Sequence, residues 1–492
     1  MAWILVAELA VMLACIWLGS RHGGIALGFW GGIGLLILSF AFRETPAKPP
    51  VDVMLIILAV TCATATMQAA GGIHFFVRMA EKIIKRYPER ITFIAPLVAY
   101  IFTFAAGTGH ILYPLLPVIH DTALRNGIRP ERPISVSVVA SLQGITASPV
   151  SAAMAAFIVV VEASGYSLPK IMLIAVPSTL VGVLAASLLM LRYGKELEDD
   201  PEFQRRVAAG EVEDIPLLVK AQRKAKRENI SLEDAKMQLA PTGAGTEIAT
   251  ETSEGASASV GADGRLEEDI TAESNGAKPG SPRITAAIFL ATVVLVVIFG
   301  AVPGLRPPGE DGEPLSIAIL LQILMLSAAA IMVAVTNVKV GAIATSSIAR
   351  TGLIAIVGIF GLAWLGLTVI QANEELIVGG LEGMVTKYPW MFAVALFACS
   401  IVLFSQASTT RTLMPLGLSL GLGPGMLAGM WPAVNGAFFL PTYGTIVAAI
   451  NFDRTGTTRI GKFVFNHSFM LPGIVAIAAA AATGMTLATV FG

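Results

Sequence analysis

Small hydroxyl side chains interrupt four of the most apolar stretches of the sequence. A polar break inside an apolar helix leaves backbone N–H groups exposed where the next helix begins. These helix ends carry partial positive charge and attract carboxylates, and a hydroxyl can donate a further hydrogen bond. The pattern favours a carboxylate site, although each hydroxyl could instead only cap or pack its own helix. The residues are Thr108, Thr146, Ser148 and Ser151 in the first half, and Ser405, Ser408, Thr409, Thr410, Thr442 and Thr445 in the second.

Two ionisable side chains lie in the same stretches. An arginine at membrane depth costs about 2.5–3.5 kcal/mol on insertion scales, so Arg411 needs a reason to be there. A guanidinium can hold a carboxylate through two parallel hydrogen bonds, which makes Arg411 a candidate clamp. The alternative is an arginine that reaches the interface or pairs with carbonyl groups. His110 follows the turn Gly107-Thr108-Gly109. It is a candidate donor to the substrate or acceptor of a coupled proton, or simply a hydrogen-bonded histidine.

Several other chemistries are excluded. The sequence has no HExxH motif, no Walker A lysine motif and no GxSxG elbow, so it predicts neither a zinc hydrolase, nor an ATP-driven pump, nor a serine hydrolase. The three cysteines all lie in apolar runs, which excludes a disulfide framework. The net charge of -1 excludes a nucleic-acid binder that works by neutralising phosphates. The sequence therefore predicts a protein that is not an enzyme, with no cofactor and with Na⁺ or H⁺ coupling left open.

The composition is that of a membrane protein. Of the 492 residues, 55% are hydrophobic and 14% are charged, against about 25% charged in an average soluble domain. The mean hydropathy is +0.75. A bilayer core needs about 20 residues of helix, and most of the apolar runs match one span. The runs lie at roughly 3–19, 24–42, 51–70, 91–119, 134–162, 168–191, 284–302, 316–336, 352–371, 389–419, 425–450 and 469–490.

Four of the runs are broken near their centres. Pro114, Pro117 and the Gly107–Gly109 turn interrupt one run, and Ser405–Arg411 with Pro415 interrupts another. These two runs predict re-entrant hairpins, at 91–128 and 389–422, that enter and leave the membrane on one side. The other two, 134–162 and 425–450, contain Pro149 and Pro441. They predict full spans with an unwound centre.

Charge counts predict the orientation. If each hairpin returns to its own side, the inner connections hold 14 Lys and Arg residues and the outer ones hold 5, leaving aside the long central insert. This split predicts that both termini face the periplasm. Residues 1–191 and 284–492 then have opposite orientations, which is an inverted-topology repeat. Gly107 and Ser405 each precede a proline, Pro117 or Pro415, by ten residues.

The central insert, residues 192–283, is hydrophilic. It holds 13 of the 33 Lys and Arg residues and 19 of the 34 Asp and Glu residues. A charged stretch from Lys195 to Leu239 predicts helix, and the Gly-, Ala-, Ser- and Thr-rich segment 240–282 predicts disorder. We interpret the insert as a cytoplasmic, partly disordered linker between the halves.

Longer motifs surround these breaks. They are Gly71-Gly72, Phe104–Gly109, Leu116–Ile119, Ile145–Pro149, Ser151-Ala-Ala, Ser405-Gln406-Ala-Ser408, Leu413–Pro415, Leu440–Tyr443 and DRTGTTRIGKFVFNH at 453–467. On these motifs the sequence resembles the Dcu-type anaerobic C4-dicarboxylate transporters of the ion-transporter superfamily. The resemblance covers nearly the whole chain outside the insert, and the last motif is the most specific.

The resemblance implies a bacterial inner-membrane secondary transporter. It implies exchange or ion-coupled uptake of fumarate, succinate, malate or aspartate, an all-α elevator-type fold and a homodimer in the lipid bilayer. The hairpins and broken spans would move against a scaffold of the first three spans of each half. Gln406 and Tyr443 lie in motifs that resemble the family's and join the candidate substrate-binding residues.

Two alternatives remain open. One is a carrier for another small organic anion, such as a sugar acid, which competition uptake assays would distinguish. The other is a membrane-embedded sensor or scaffold with the insert as its signalling part. Deleting residues 210–280 would separate these classes, because a carrier keeps transport and a sensor loses its output.

Overall fold

The fold is helical throughout the part of the chain that the structure describes. Within this computed structural model, extended backbone pairing in those residues is limited to the isolated bridges Pro308–Pro314 and Ile460–His467. Eight helices there are long and apolar enough to cross a membrane. The prediction of an all-α polytopic membrane protein is therefore confirmed. The described residues are 2–22, 25–239, 278, 280–309, 312–373, 376, 387–403, 405–440, 443–461 and 466–491.

The first half contains nine helices. They are α1 (Ala2–His22), α2 (Ala26–Phe40), α3 (Val51–Ala69), α4 (Gly72–Arg86), α5 (Ile91–Ala106), α6 (Leu112–Arg125), α7 (Glu131–Ala147), α8 (Ala152–Val161) and α9 (Leu168–Met190). Helices α5 and α6 are joined at the Gly107 turn and are called the first hairpin, and their re-entrant course in the membrane stays a prediction. Helices α7 and α8 form the first broken span, because Pro149 lacks the N–H that would continue the helix.

The second half repeats this order of elements. Its helices are α13 (Ser281–Ala301), α14 (Ile317–Thr336), α15 (Val340–Ala344), α16 (Ser347–Gly358), α17 (Trp364–Ala372), α18 (Met391–Leu403), α19 (Gln406–Ser419), α20 (Pro424–Met430), α21 (Gly444–Phe452) and α22 (Met470–Phe491). A π turn at Ile359–Ala363 joins α16 to α17. Helices α18 and α19 form the second hairpin. Helix α20, the 3₁₀ segment Trp431–Phe438 and α21 form the second broken span.

The helices fall into two groups, whose buried side chains share one core cluster. In the long-helix group, α1, α2 and α17 share a cluster that includes Cys15, Leu35 and Leu365, and α3 packs on α14 and α16. In the hairpin group, the last helices of the two halves lie along one another. A Cβ on Gly182 of α9 would lie 2.4 Å from the carbonyl oxygen of Ala476 in α22, so this contact is between backbones.

The described part of the insert is folded against the hairpin group. Its helices are α10 (Pro201–Ala208), α11 (Leu217–Glu228) and α12 (Leu232–Leu239). The charged stretch predicted as helix is divided in three. Pro201 is the first residue of α10, Pro216 immediately precedes α11, and Asn229 ends α11 in the left-handed region. Phe203 is fully buried beside Leu124 of the first hairpin. Most of the segment predicted to be disordered, 240–277 and 279, lies outside the described residues, and α13 already begins at Ser281.

One buried arginine anchors the insert. The Arg129 guanidinium, at the base of the first hairpin, donates to Asp200 Oδ2 at 2.6 Å and to Glu131 Oε2 at 2.6 Å. Burial alone would raise the pKa of the Asp200 carboxyl. Hydrogen bonds from Arg129 and from the first turn of α10 outweigh burial and hold that pKa below its ordinary value. The insert is thus attached to the hairpin group by a desolvated ion pair as well as by apolar packing.

Candidate functional site

The tip of the first hairpin depends on a glycine. Gly107 ends α5 in the left-handed region with φ 68°, and a Cβ there would lie 2.9 Å from the Val150 carbonyl oxygen. Both the backbone angle and the space therefore favour glycine. Thr108 is extended, and its side chain accepts a hydrogen bond from the His110 backbone N–H at 3.4 Å. One 3₁₀ turn from Gly109 then leads into α6.

The tip of the second hairpin is a serine cap. Ser405 has extended backbone angles, and its hydroxyl accepts a hydrogen bond from the Ser408 N–H at 3.1 Å. Serine is among the preferred residues for this position because its side chain pairs one of the helix's unpaired donors. The first turn of α19 therefore keeps further backbone N–H groups that lack a partner within the helix.

The two broken spans contribute two further helix starts. Ser151 caps α8, and its hydroxyl accepts from the Met154 N–H at 3.0 Å. Tyr443 stands at the N-cap of α21 without a side-chain cap. The first N–H groups of a helix have no partner within it. These two starts therefore present backbone donors in addition to those of the hairpins.

All four helix starts border one cavity of about 580 Å³. The hairpin group contributes the two tips and both breaks to its wall. The long-helix group closes the opposite side, where the π turn after Gly358 faces the cavity; such turns are frequent at functional sites. The wall consists of Gly107, Thr108, Gly109, His110, Tyr113, Ser141, Leu142, Ile145, Ala152, Ala153, Leu403, Ser405, Gln406, Ala407, Ser408, Tyr443, Gly444 and Thr445, with Gly19, Ile57, Thr351, Ile354, Ala355, Gly358, Ile359 and Leu362 opposite.

The cavity presents donors without formal charge. Among the described wall residues there is no Lys, Arg, Asp or Glu. Thr445 is buried, and its hydroxyl has no hydrogen-bond partner. Leaving such a group unpaired costs free energy, so it suits a ligand that accepts a hydrogen bond there. Helix starts and hydroxyls together make this a cavity for a small anion rather than for a cation.

The structure brings most of the predicted site residues together. Nine of them lie in the wall: Gly107, Thr108, Gly109, His110, Ser405, Gln406, Ser408, Tyr443 and Thr445. Four others make hydrogen bonds behind it. They are Thr146, which bonds Asn435, Ser148, which bonds the Val150 N–H, Ser151, which caps α8, and Thr409, which bonds the Ser405 carbonyl. Thr442 lies outside the described residues.

Arg411 is not part of the described wall. It lies in α19 with its Nε buried and without a hydrogen-bond partner. The acidic group whose charge bears on it is Asp52, in the first turn of α3. The hydroxyls between Arg411 and the tip make helix and side-chain contacts instead: Thr410 bonds the Gln406 carbonyl at 2.7 Å and accepts from Trp431 at 2.9 Å. The clamp role of Arg411 stays a prediction, and its placement gives it no direct contact with the cavity.

Two buried amides were missed by the sequence interpretation. Asn435 Nδ2 donates to Gln143 Oε1 at 3.1 Å, and Asn435 Oδ1 accepts from Gln406 Nε2 at 2.6 Å and from Thr146 Oγ1 at 3.0 Å. These contacts join α7, the 3₁₀ segment and the second hairpin tip. A signal was present in the sequence, because Gln143-Gly144 and Asn435-Gly436 each precede the proline of their broken span by six residues.

The loop after α21 is organised by one carboxylate. Asp453 accepts hydrogen bonds from the Thr457 hydroxyl at 2.8 Å and from the Thr458 N–H at 2.6 Å. Thr457 Oγ1 accepts from the Glu131 N–H at 3.3 Å, and Glu131 Oε1 accepts from the Ser468 hydroxyl at 2.6 Å. The loop therefore connects the second half to the base of the first broken span, away from the cavity.

Comparisons with known proteins identify what the chain is similar to. A family model described as an anaerobic C4-dicarboxylate membrane transporter matches residues 4–492. The chain is 36% identical over 490 residues to the anaerobic C4-dicarboxylate transporter DcuB of Shigella flexneri, covering 99% of this chain and 98% of the relative. It is 35% identical over 490 residues to the C4-dicarboxylate transporter DcuA of Wolinella succinogenes, covering 99% and 100%. It is 36% identical over 485 residues to DcuA of Escherichia coli, covering 98% and 99%.

Proposed function

The chain belongs to the family of anaerobic C4-dicarboxylate membrane transporters, and from this premise we propose that it binds fumarate, succinate, malate or aspartate in the cavity between the two hairpin tips. It is a multi-pass protein of the bacterial inner membrane and a transporter rather than an enzyme.

The observation that carries the proposal is the meeting of four helix starts at one cavity without a charged wall residue among those described. A C4-dicarboxylate has a carboxylate at each end, and each carboxylate can accept hydrogen bonds from the first N–H groups of a helix. The tips of the first and second hairpins, at Gly107–His110 and Ser405–Ser408, come from the two halves. We assign one end of the substrate mainly to each half.

The two halves are proposed to be inverted repeats. Each has three spans, a hairpin, a broken span and a final helix, in the same order. From the distribution of Lys and Arg residues, we infer that the halves have opposite orientations and that both termini lie in the periplasm. Inverted repeats of this kind place the substrate site at their interface near the middle of the membrane.

We further propose an elevator-type alternating access. On the long-helix side the cavity wall is largely apolar, with Ile57, Ile354, Ile359 and Leu362. A surface of this kind makes few directional contacts that a moving neighbour would have to break. The hairpin group, including the docked insert, would move as one unit against the long-helix group of a homodimer. Exchange and uptake coupled to Na⁺ or H⁺ are both compatible with this arrangement.

Counterflow in proteoliposomes tests the proposed function. Vesicles that contain purified protein and unlabelled succinate should transiently accumulate labelled succinate from outside. Excess external fumarate or malate should abolish the accumulation, and a sugar acid such as gluconate should not. Accumulation blocked equally by gluconate would favour the broader carrier of organic anions. No accumulation above that of protein-free vesicles would contradict a transport function for C4-dicarboxylates.

A matched pair of threonines tests the binding site itself. Thr445→Val removes a buried hydroxyl in the cavity wall that has no protein partner, whereas Thr409→Val removes one that bonds the Ser405 carbonyl at 2.8 Å. Loss of a hydrogen bond to a charged ligand should raise the succinate dissociation constant about ten- to a hundredfold for Thr445→Val. We expect less than a threefold change for Thr409→Val. Equal effects in calorimetric titrations would argue against the assignment of Thr445 to substrate.

A further inference from the structure

The two broken spans share a local sequence pattern that places an amide beside a glycine. Gln143-Gly144 and Asn435-Gly436 each lie six residues before the proline of their span. The glycines pack in the same way. A Cβ on Gly144 would lie 2.8 Å from the Tyr100 carbonyl oxygen, and one on Gly436 would lie 2.8 Å from that of Phe397. Each glycine thus lets the first helix of its own half's hairpin approach closely.

Because the glycines hold corresponding places in the two halves, the amides beside them correspond as well. Gln143 and Asn435 are both buried. They meet directly, since Asn435 Nδ2 donates to Gln143 Oε1 at 3.1 Å. The pair therefore joins the two halves in the interior. A buried amide that is hydrogen-bonded is tolerated there, whereas an unpaired one would pay the full free-energy penalty of desolvation.

Asn435 also holds the second hairpin tip. Its Oδ1 accepts from Gln406 Nε2 at 2.6 Å and from Thr146 Oγ1 at 3.0 Å, and its second N–H donates to the Pro432 carbonyl at 3.0 Å. With the bond to Gln143, every donor and acceptor position of this amide is used. Gln406 is the first residue of α19 and lies in the cavity wall. Gln406 Nε2 also donates to the Leu142 carbonyl oxygen of α7 at 3.1 Å, so Asn435 and the backbone of α7 together set the position of this helix start.

The corresponding amide in the first half does not do this. Gln143 Nε2 is buried and has no hydrogen-bond partner, and within the described residues no side-chain hydrogen bond leaves the Gly107–His110 tip for another element. Corresponding residues thus play unequal roles. Among the described residues, a side-chain amide attaches the second tip alone to the first broken span: Gln406 bonds the Leu142 carbonyl directly and reaches Gln143 and Thr146 through Asn435.

We propose that Asn435 is a positioning residue that sets the distance between the two carboxylate-binding ends of the cavity. It fixes the start of α19 relative to α7, through Gln406 on one side and Gln143 and Thr146 on the other. This inference rests on the proposed binding of a dicarboxylate in the cavity. Its consequence is selectivity for chain length, because a fixed distance between the ends favours a four-carbon over a five-carbon dicarboxylate.

The test compares dissociation constants for succinate and glutarate on purified full-length protein. Asn435→Ala should lower the preference for succinate over glutarate about three- to tenfold, because the second tip loses its fixed position. The matched control is Ser400→Ala. The Ser400 hydroxyl is buried and accepts from the Gly436 N–H at 2.9 Å, so it joins the same 3₁₀ segment to α18 and makes no contact with Gln406. This control should leave the preference unchanged.

A second variant keeps the test decisive if Asn435→Ala folds poorly. Thr146→Val preserves shape and removes one of the two hydrogen bonds to Asn435 Oδ1, so it should lower the preference about two- to threefold. An unchanged preference in both variants, with both dissociation constants raised equally, would overturn the positioning role. If the wild-type protein bound neither acid, the proposed function would be overturned together with this inference.

Discussion

The two hairpins meet at one cavity, but they are held in different ways. The second tip begins with a serine cap, and Gln406 is hydrogen-bonded to Asn435 and to the Leu142 carbonyl oxygen at 3.1 Å. The first tip consists of a glycine turn, one internal hydrogen bond to Thr108 and a stack of His110 on Tyr113 with ring centroids 5.7 Å apart. Side-chain hydrogen bonds to other elements thus fix one tip, and close packing on Val150 fixes the other.

Because the two hairpin tips are held differently, we expect them to have different roles in transport. A tip held by directional bonds keeps its geometry, whereas a tip held by a glycine turn can open at a lower cost. We expect the second hairpin to provide the fixed end of the site and the first to act as its gate. The predictions below would strengthen or remove this contrast.

The largest effect is expected at the glycine turn. Gly107→Ala forces a side chain into the left-handed region and brings its Cβ to 2.9 Å from a backbone oxygen. Strain and overpacking together should cost about 2–5 kcal/mol. Initial rates of succinate uptake, normalised to folded protein, should fall about 30-fold or more.

A variant at a second glycine distinguishes the effect of backbone strain from the effect of close packing. Gly421, just beyond the second hairpin, also has positive φ, but a Cβ there would meet nothing within 4 Å. Gly421→Ala should therefore reduce uptake several-fold less than Gly107→Ala. Equal losses would mean that close packing on Val150 contributes nothing to the first tip.

Hydrogen exchange compares the tips without mutation. Opening the second tip breaks the bonds of Gln406 to Asn435 and Leu142, so its amides should exchange at least about tenfold more slowly than those of the first tip. Succinate should slow exchange at residues 107–111 more than at 405–411. Mass spectrometry on protein in detergent or nanodiscs would measure both. Faster exchange at the second tip would reverse the assignment of gate and fixed end.

Arg411 gives a smaller expected effect. Its side chain is not in the described wall, so Arg411→Ala should reduce the amount of folded protein or the transport rate. The dissociation constant for succinate should stay within about threefold of wild type. A rise of tenfold or more on correctly folded protein would restore the clamp that the sequence favoured, and would mean that the second hairpin binds substrate beyond its tip.

The smallest effect is expected from shortening the insert. Replacing residues 240–277 by a short Gly-Ser linker leaves α10, α11 and α12 whole, and succinate uptake should stay within about twofold of wild type. Deleting 210–280 instead removes α11, whose Arg223 pairs with Glu196 at 3.2 Å, and should lower stability. Loss of transport in the shorter deletion would give the insert a role that the hairpins alone do not explain.

The sequence predicted the course of the backbone well where proline and glycine control it. Pro149 has no N–H to continue a helix, and Gly107 has no Cβ to oppose a left-handed turn. The ends of α7 and α5 could therefore be located from the sequence. Of the serine and threonine residues at these breaks, four line the cavity: Thr108, Ser405, Ser408 and Thr445. Their individual roles could not be predicted, because a hydroxyl such as Thr146 or Thr409 can bond a neighbouring element or its own helix equally well.

Contacts between distant segments were beyond sequence reasoning. Asn435 and Gln143 are 292 residues apart in the chain, and each looks like an isolated polar residue in an apolar run. The long-helix wall of the cavity, including Ile57 and Ile359, was missed for a similar reason. Apolar residues in a membrane helix face lipid, protein or a cavity without any difference in their pattern.

The central claim is that a C4-dicarboxylate binds between the two hairpin tips. Crystals grown with bromosuccinate, whose bromine gives an anomalous signal, would locate the ligand directly. We predict a bromine peak inside the cavity, with one carboxylate near Gly107–His110 and the other near Ser405–Ser408. A peak elsewhere in a protein that still exchanges succinate would contradict the account.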